Sequence, residues 1–534
     1  MTKGRIIKIA GLVLWALLLY YFMLPPLNLT SPVFWVYLFL VVGAIVFINA
    51  ITSIRVAGNE IVSVRPAVGK VTKIILIALG VIFALLIIVN IINSPLFNAK
   101  AYYNRIAINE DGNFSTDVAE VDFNKMPLLD KDSSSKVGDR VMGQMTDLVS
   151  QFYVSNLYTQ INYNNQIVRV TPLEYADIIK YFTNRSKGIA GYIIVNSVTG
   201  ESELVRLENG MKYAPSGMFF ENLNRKLRLQ YPTEIFGEAN FEIDNEGNPF
   251  WIVSTIKYVG IGLRPEVSGV IIFNPVTGES QKYNVEDVPT WVDHVYPASL
   301  IIEQVNNWGL YKNGFFNSIF GQKEVVTTTQ GYNYTLMNDD VYLYTGITSV
   351  VSDESNIGFI LTNLRTKETV FYGVPGAEEY SAMDSAEGQV QQMKYKATFP
   401  LLINLNNKPT YFLSLKDNAG LVKMYAFIDV QNYQKVVVTD SSKGIEAAAK
   451  NYLAGEEPAV NEEELQTKEI VVQSIASVVI DGTTYYYLID TDNNKYRASI
   501  KVDTNVLPFL QINSKLNISY SIGTEVNEIM KINK

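Results

Sequence analysis

The chain has 534 residues, one histidine and no cysteine, and its 44 basic and 53 acidic side chains give a net charge of −9. This length exceeds what one hydrophobic core usually supports, so several domains are expected. The lack of cysteine excludes a disulfide framework, thiolate zinc sites and cysteine nucleophiles. The net charge is +6 over residues 1–93 and −15 over the remainder. An acidic remainder argues against nucleic acid as a partner.

The first 93 residues contain three apolar runs, each close to the length that crosses a bilayer. They predict three transmembrane helices at Ile6–Leu24, Val33–Ile51 and Ile74–Ile92. Basic residues precede the first run and fill the loop between the second and third: Lys3, Arg5, Lys8, Arg55, Arg65, Lys70 and Lys73. The loop between the first two runs has no charge. The positive-inside rule therefore predicts a multi-pass plasma membrane protein with a cytoplasmic N-terminus and a large extracytoplasmic C-terminal region.

A cleaved signal peptide is the less favoured interpretation of the first run, because no small-residue cleavage site follows it. An exported protein without cysteine is typical of a bacterial cell envelope, and we favour a Gram-positive cell or one of its phages. The sequence leaves open whether the host or a phage encodes the protein.

Residues 94–140 are predicted to form a stalk, and residues 141–440 an extracytoplasmic repeat region that opens with a helix over Val141–Tyr153. Within this region a pattern recurs: an apolar strand, a turn opened by Asn, and then Thr, Gly or Lys, and Glu. The copies are Gly191–Glu201, Gly269–Glu279 and Gly358–Glu368, with a degenerate fourth at Met424–Asp429. Amphipathic helices precede the strand groups. Each unit is therefore predicted to be a helix packed on an antiparallel sheet, which places the chain in the α+β class.

This order of elements, with strands such as Asn248–Ser254 and Lys408–Ser414, resembles the PepSY domain over residues 170–440. The resemblance implies tandem helix-plus-sheet units that restrain or regulate a partner, such as a protease or another envelope enzyme. It implies no shared catalytic residue. The whole arrangement also resembles multi-span envelope proteins of Gram-positive bacteria.

The C-terminal part is predicted to be an acidic linker followed by a small β-barrel. The linker covers residues 441–466, and residues 467–534 contain five predicted strands with a short helix before the fourth. This order resembles an OB-type barrel, and an SH3-like barrel is the competing interpretation. Tyr486 would lie on the barrel surface that OB domains use for ligands.

Two groups of residues are candidates for chemistry. His294 follows Asp293, but neighbouring residues in an extended segment point to opposite sides, and no second histidine completes a metal site. We therefore favour a structural histidine. A cluster of acids could supply a glycosidase-type pair or could only complement a helix dipole, and we favour the second role. Its members are Glu378, Glu379, Asp384 and Glu387, of which Asp384 and Glu387 share one helical face.

Aromatic side chains on strands are candidates for a surface that binds peptides or glycans. Ordinary cross-strand packing is the more frequent explanation for such residues. The candidates are Trp251, Tyr342, Tyr344, Tyr411 and Tyr486, together with Asp384 and Glu387 of the acidic cluster.

The sequence favours a non-enzymatic, membrane-anchored scaffold that binds an envelope protein or peptide, by strand addition to a sheet edge. We expect no catalytic residue, no cofactor, no metal and no nucleic acid. The alternative is a glycan-active or glycan-binding protein that uses the acidic cluster. A phage or defence-related envelope protein is a third interpretation.

Overall fold

Helices form at all three positions that were predicted to span the membrane. The computed structural model describes residues 3–51, 55–57, 60–63, 70–350, 352–454, 465–480, 483–521 and 526–533. The N-terminal elements are α1 (Lys3–Met23), α2 (Pro32–Ile51), β1 (Arg55–Ala57), β2 (Glu60–Ser63) and α3 (Lys70–Asn93). Arg65, which contributed to the predicted orientation, lies outside the described residues.

One of these helices is long and apolar enough to cross a membrane. Within the described residues this holds for Thr72–Asn93 of α3, a 22-residue stretch that is not buried inside the protein. The apolar parts of α1 and α2 are shorter, at Lys8–Met23 and Pro32–Ile48. Length and composition thus support one crossing, and the three-span arrangement and its orientation stay predictions.

The predicted stalk is instead folded into the main body, which we define as residues 94–452. Its elements are α4 (Pro95–Tyr103), β3 (Ile108–Gly112), α5 (Phe114–Asp117) and α6 (Lys131–Gln144). Strand β3 joins a sheet by pairing in parallel with residues 369–372, and Tyr102, Phe114 and Met126 are buried. The sequence prediction failed here because the few apolar residues of this segment are scattered along it and pack individually against distant elements.

Helix α6 also differs from the helix that was predicted over Val141–Tyr153. It begins earlier because the side chain of Asp130 caps it, accepting a hydrogen bond from the backbone N–H of Ser133 at 2.9 Å. Such a cap satisfies one of the free N–H groups at a helix start. The polar run after Asp130, at the end of the predicted stalk, is therefore the first half of a helix.

Four sheets follow in the body, each accompanied by a helix, and they are antiparallel except where β3 joins the third. The first comprises β4 (Phe152–Val154), β5 (Thr159–Tyr163), β6 (Gln166–Tyr175), β7 (Ile189–Asn196) and β8 (Ser202–Met211), with α7 (Ile178–Asn184). The second comprises β9 (Ile235–Ile243), β10 (Pro249–Val259), β11 (Leu263–Phe273) and β12 (Ser280–Tyr283), preceded by α8 (Leu223–Gln230). In the first sheet the order is β4-β6-β7-β8 with β5 also on β6, and in the second it is β12-β11-β10-β9.

The third and fourth sheets complete the body. The third comprises β13 (Val326–Thr328), β14 (Asn333–Met337), β15 (Asp340–Ser349), β16 (Ser352–Asn363), β17 (Thr369–Tyr372) and β18 (Gly376–Ala377), preceded by α9 (Ala298–Tyr311). The fourth comprises β19 (Lys396–Ala397), β20 (Leu401–Leu405), β21 (Lys408–Lys416), β22 (Val422–Asp429) and β23 (Val436–Asp440), flanked by α10 (Glu379–Gln389) and α11 (Ile445–Leu453). The mixed α+β class is thus confirmed, whereas assignment of the sheets to PepSY units stays a proposal.

The hairpin turns within the predicted repeat pattern share one hydrogen-bond arrangement. In each, an Asn or Asp side chain accepts from the backbone N–H groups two and three positions later. The residues are Asn196, Asn274, Asn363 and Asp429. Gly200 and Gly278 follow in the first two turns with φ of 76° and 78°, and Lys367 takes the same position in the third with φ of 67°. Lys367 holds this conformation while its ammonium group bonds the carbonyl of Arg105 and the carboxylate of Glu266.

Residues 453–534 form a second compact unit, a closed five-stranded barrel. Its strands are β24 (Gln466–Ile480), β25 (Thr483–Asp490), β26 (Lys495–Ser499), β27 (Lys515–Ser521) and β28 (Asn527–Asn533). The order around the barrel is β24-β25-β26-β28-β27, and β26 pairs with β28 in parallel. A small apolar core that includes Val472, Leu488 and Ile518 fills it. Residues 455–464 of the predicted linker lie outside the described residues.

Candidate binding cleft

A cleft of about 740 Å³ lies among the first three sheets of the body, beside the start of α6. Strands β5, β6, β9 and β14 contribute to its walls, together with helix α8. We call it the Arg169 cleft, after its most unusual lining residue. The lining residues used below are Asp130, Asp132, Tyr158, Gln160, Arg169, Glu238, Trp251, His294, Tyr332, Tyr334 and Phe399.

Arg169 is a buried cation that forms no ion pair among the described residues. It lies on β6 opposite Gln160 of β5, and it is 6% exposed. Among the described residues, no carboxylate forms an ion pair with its guanidinium, and its Nε has no hydrogen-bond partner. Burial lowers the pKa of Arg169 to about 10, although Asp130 and Tyr334 act in the opposite direction. The group is therefore charged at neutral pH, and an isolated buried charge costs several kcal/mol.

Other buried polar atoms, on residues that line the cleft, also lack partners within the described part of the chain. They are both side-chain amide atoms of Gln160, the indole N–H of Trp251 and the hydroxyl of Tyr158. Burial raises the pKa of Tyr158, so its hydroxyl keeps its proton and can donate. Native proteins satisfy most buried polar atoms, and each orphan costs about 1–3 kcal/mol. Because donors outnumber acceptors in this set, it suits a carboxylate or a phosphate.

The acidic residues of the cleft act on Arg169 only at a distance, and none of them pairs with its guanidinium. Asp130 is held by Lys416, whose Nζ is 2.5 Å from Oδ2. Although burial opposes the effect, hydrogen bonds from Lys416 and Ser133 lower the pKa of Asp130. Asp132 and Glu238 are exposed. The cleft therefore combines a buried positive charge with an exposed negative rim.

His294 borders the cleft but is fixed by a buried carboxylate. Glu242 accepts hydrogen bonds from the backbone N–H groups of Asp293 and His294, at 3.0 and 3.1 Å, and lies 3.1 Å from Nδ1 of His294. The Asp293 side chain bonds elsewhere, accepting from the backbone N–H of Asn162 at 2.7 Å. Burial and the nearby charge of Glu242 raise the pKa of Asp293 well above its usual range. The two neighbours thus do not form an acid–base pair with each other.

The predicted aromatic surface is largely interior, which corrects that prediction. Tyr344 and Tyr411 are fully buried, and their hydroxyls donate to the carbonyls of Pro400 and Ala377. Tyr342 is half-buried in the sheet that contains Tyr344. Tyr486 is half-buried and packs on the barrel core. Strand alternation could not distinguish Tyr344 and Tyr411 from surface positions, because their strands β15 and β21 are buried on both faces along most of their length.

Trp251 is the one predicted aromatic residue that lines the Arg169 cleft. It is 1% exposed and packs edge-to-face on Phe241 with ring centroids 5.3 Å apart. Its indole N–H is buried and has no hydrogen-bond partner among the described residues, and no ring face is exposed. The prediction therefore identified the residue and misjudged the way it would contact a ligand.

The predicted acidic cluster is neutralised or buried. Lys396 lies 2.6 Å from Glu387, and its pKa is raised by the hydrogen bond with Glu387, with a smaller effect of Asp384. Asp384 and Glu387 thus adjoin one cation, as their shared helical face predicts. Glu379 is fully buried, and burial raises its pKa. Glu378 lies at the N-cap of α10.

The sequence analysis missed Arg169, Gln160 and Tyr158. Arg169 stands within Ile167–Leu173, a run that is otherwise free of charge. Charged residues are almost never fully buried unless they are paired, so this arginine was a detectable signal. Gln160 and Tyr158 carried no such signal, since polar residues near turns are common.

Within the described residues, no group of three or more His, Asp or Glu side chains is placed to hold a metal ion. No protein-family model and no curated protein matches the chain. Among solved structures, the crystal structure of the N-terminal domain of Nup159 matches at 8% identity with a TM-score of 0.12. That match covers 62% of this chain and 61% of the other, and so less than two thirds of its length. A TM-score this low carries no argument about fold or function.

Proposed function

We propose that the protein is a membrane-anchored extracytoplasmic binding protein of the bacterial cell envelope, whose Arg169 cleft takes a carboxylate-bearing peptide segment of an envelope partner. The observation that carries this proposal is the buried guanidinium of Arg169, which has no ion pair among the described residues, together with the orphaned hydrogen-bond donors of other lining residues. A carboxylate at this position would satisfy the charge and the donors together. Charge-assisted hydrogen bonds of this kind contribute about 1.5–3 kcal/mol each.

A peptide fits the cleft better than a free anion does, because an edge strand lines it. Strand β9 is at the edge of the second sheet, and Glu238, Ala239 and Asn240 contribute to the cleft wall. Edge strands offer backbone N–H and C=O groups to an extended segment. In the proposed complex the segment lies along β9 and its carboxylate reaches Arg169.

The anchor in this proposal comprises α1, α2 and α3 as three spans, with the N-terminus inside and the body outside. The basic residues that flank the apolar runs support this orientation. The sheets of the body are proposed to be PepSY-like units, supported by their shared turns and accompanying helices. The terminal barrel is proposed to be OB-like, supported by its closure and strand order. Restraint or positioning of an envelope enzyme or protease would follow from capture of a segment of that partner.

The runner-up function is glycan binding or glycan cleavage by the acidic cluster. A glycosidase needs one carboxyl group that donates a proton and a second that is ionised beside the substrate. In the acidic cluster, Glu387 is paired with Lys396 and Glu379 is buried, so Asp384 is the exposed member. The arrangement therefore favours the Arg169 cleft as the functional site.

Binding of random pentapeptides to the full chain in lipid nanodiscs tests the proposal. One library carries free C-terminal carboxylates and the other is amidated at the C-terminus. We expect the full chain to retain the carboxylate library. Arg169→Met should lower the affinity for the retained peptides about 10- to 100-fold, because it removes one charge-assisted contact.

The matched control is Arg228→Met, which changes another buried arginine that is bonded to backbone carbonyls. This variant should keep peptide affinity. Equal retention of both libraries, or unchanged affinity in Arg169→Met, would contradict the proposal.

A further inference from the structure

Five large apolar side chains form an exposed patch on the body. Helix α7 contributes Ile178, Ile179 and Phe182, and the adjacent 3₁₀ turn Phe219–Glu221 contributes Phe219 and Phe220; we call these five residues the apolar patch. Ile179 and Phe220 are 65% and 64% exposed. The rings of Phe182 and Phe219 are 6.2 Å apart, so the two segments form one continuous surface. Contiguous apolar surface of this kind usually marks an interaction site.

The patch is held rigidly by the residues beneath it. Tyr181 of α7 is fully buried, and its hydroxyl donates to Glu221 at 2.6 Å. Arg185, just past the end of α7, pairs with the same carboxylate at 2.9 Å. These bonds join the two segments, so the apolar side chains project from a fixed base.

Contacts with α1 place the patch beside the outer end of the anchor. The guanidinium of Arg225 lies 3.9 Å from the ring centroid of Tyr21, and it also donates to the carbonyl of Phe219. Tyr21 is in the last turn of α1, which ends at Met23. One residue beyond, the carbonyl of Leu24 accepts from Arg228 of α8 at 3.0 Å. Arg225 therefore connects Phe219 to the last turn of α1, and the patch lies next to that end of the helix.

Charge around the patch also differs from the rest of the body. Residues 94–534 carry a net charge of −15, which would repel an anionic lipid surface. The charged side chains on the patch segments and on the first turns of α8 are the basic Lys180, Arg185, Arg225 and Lys226 and the acidic Asp177 and Glu221, so the local net charge is +2. Basic residues near a membrane surface each gain about 1 kcal/mol from anionic lipids.

We propose that the apolar patch inserts into the outer interfacial layer of the same membrane that holds the anchor, so that the body lies against the bilayer. The inference rests on the proposed placement of α1 as a span and of the body outside. Large aromatic side chains favour the interfacial layer, and basic neighbours would contact lipid headgroups. The body would thus be attached at two places, and the Arg169 cleft would be held at a fixed height above the membrane.

The lack of native cysteine makes single-cysteine fluorescence the direct test. An environment-sensitive fluorophore is attached to the full chain at Phe219→Cys, Phe182→Cys or Tyr433→Cys, in nanodiscs that contain anionic lipid. Tyr433 is an exposed aromatic residue far along the chain from the patch and serves as the control. We expect labels at Phe219 and Phe182 to shift to shorter emission wavelength and to be quenched by lipids spin-labelled near the headgroup.

Two outcomes separate this inference from the proposal it rests on. If labels at Phe219 and Phe182 are as solvated and as unquenched as the label at Tyr433, the patch does not enter the membrane. In intact cells, a membrane-impermeant thiol reagent should modify Tyr433→Cys. Protection of Tyr433→Cys until lysis would overturn the external placement of the body, and with it this inference, whatever the fluorescence shows.

Discussion

Two buried arginines provide a sharp test of the physical argument for the cleft. Arg169 and Arg228 are 6% and 5% exposed, and burial lowers the pKa of each to about 10. They differ in their partners, because Arg228 donates to the carbonyls of Leu24, Tyr231 and Glu234, at 3.0, 3.1 and 2.5 Å. The same substitution at both positions should therefore change stability in opposite directions.

The magnitude follows from the lowered pKa. A tenfold change in protonation equilibrium corresponds to about 1.4 kcal/mol, so a pKa near 10 implies that burial of the Arg169 charge costs roughly 3 kcal/mol. This cost is present at every pH below about 10 and is relieved only above it, so an assay at neutral pH registers it fully. Arg169→Met removes the charge at similar side-chain length and should stabilise the body by up to about 3 kcal/mol. Arg228→Met relieves a similar burial cost but also removes the donor of three carbonyls, at about 1–3 kcal/mol each, so its net effect should be destabilising.

The assay is denaturant unfolding of the full chain in nanodiscs, followed by tryptophan fluorescence. We expect a higher midpoint for Arg169→Met and a lower one for Arg228→Met. Arg169→Met should at the same time lose peptide affinity, as is typical of sites where function opposes stability. A lower midpoint for both variants would refute the reasoning, since it would mean that Arg169 has stabilising partners in the unliganded protein.

Three further predictions concern buried charges and the acidic cluster. Because the pKa of Asp293 is raised in the folded state, its contribution to stability is present at low pH and is lost as the pH rises above the usual carboxyl pKa. Asp293→Asn should flatten this fall in the unfolding midpoint with rising pH. Arg365 contacts both carboxylate oxygens of Asp340 at 2.6 Å. In denaturant unfolding, Arg365→Met should lower the free energy of unfolding by about 3 kcal/mol, because it leaves the Asp340 carboxylate buried without its partner. Adding Asp340→Asn to Arg365→Met should recover part of that loss. Asp384→Ala with Glu387→Ala should leave peptide affinity and retention on isolated cell-wall material unchanged; loss of wall retention would favour the glycan alternative.

The sequence predicted what depends on local pattern. The helical positions of the anchor follow from uninterrupted apolar runs, and the turns at Asn196, Asn274 and Asn363 follow from short-range bonds between side chain and backbone. The third turn shows that Lys367 can occupy the position that glycine holds in the other two. These features need only a few neighbouring residues, so a single sequence contains them.

The sequence could not predict what depends on contacts between distant residues. Residues 94–140 read as a stalk because their partners, such as the strand at Thr369–Tyr372, are more than 200 positions away. Tyr411 alternates correctly for a strand, yet only the packed structure shows that both faces of its sheet are covered. Arg169 was visible as a charge in an apolar run, but its lack of an ion pair among the described residues is a property of the three-dimensional neighbourhood.

The strand order of the terminal barrel has a consequence for how the protein is made. The last strand, β28, lies between β26 and β27 and hydrogen-bonds to both. Until residues 527–533 have been synthesised, the ring has a gap with two unpaired strand edges exposed to other chains. The barrel therefore cannot close before β28 has been synthesised, and deletion of β28 should yield an open, aggregation-prone sheet instead of a smaller barrel.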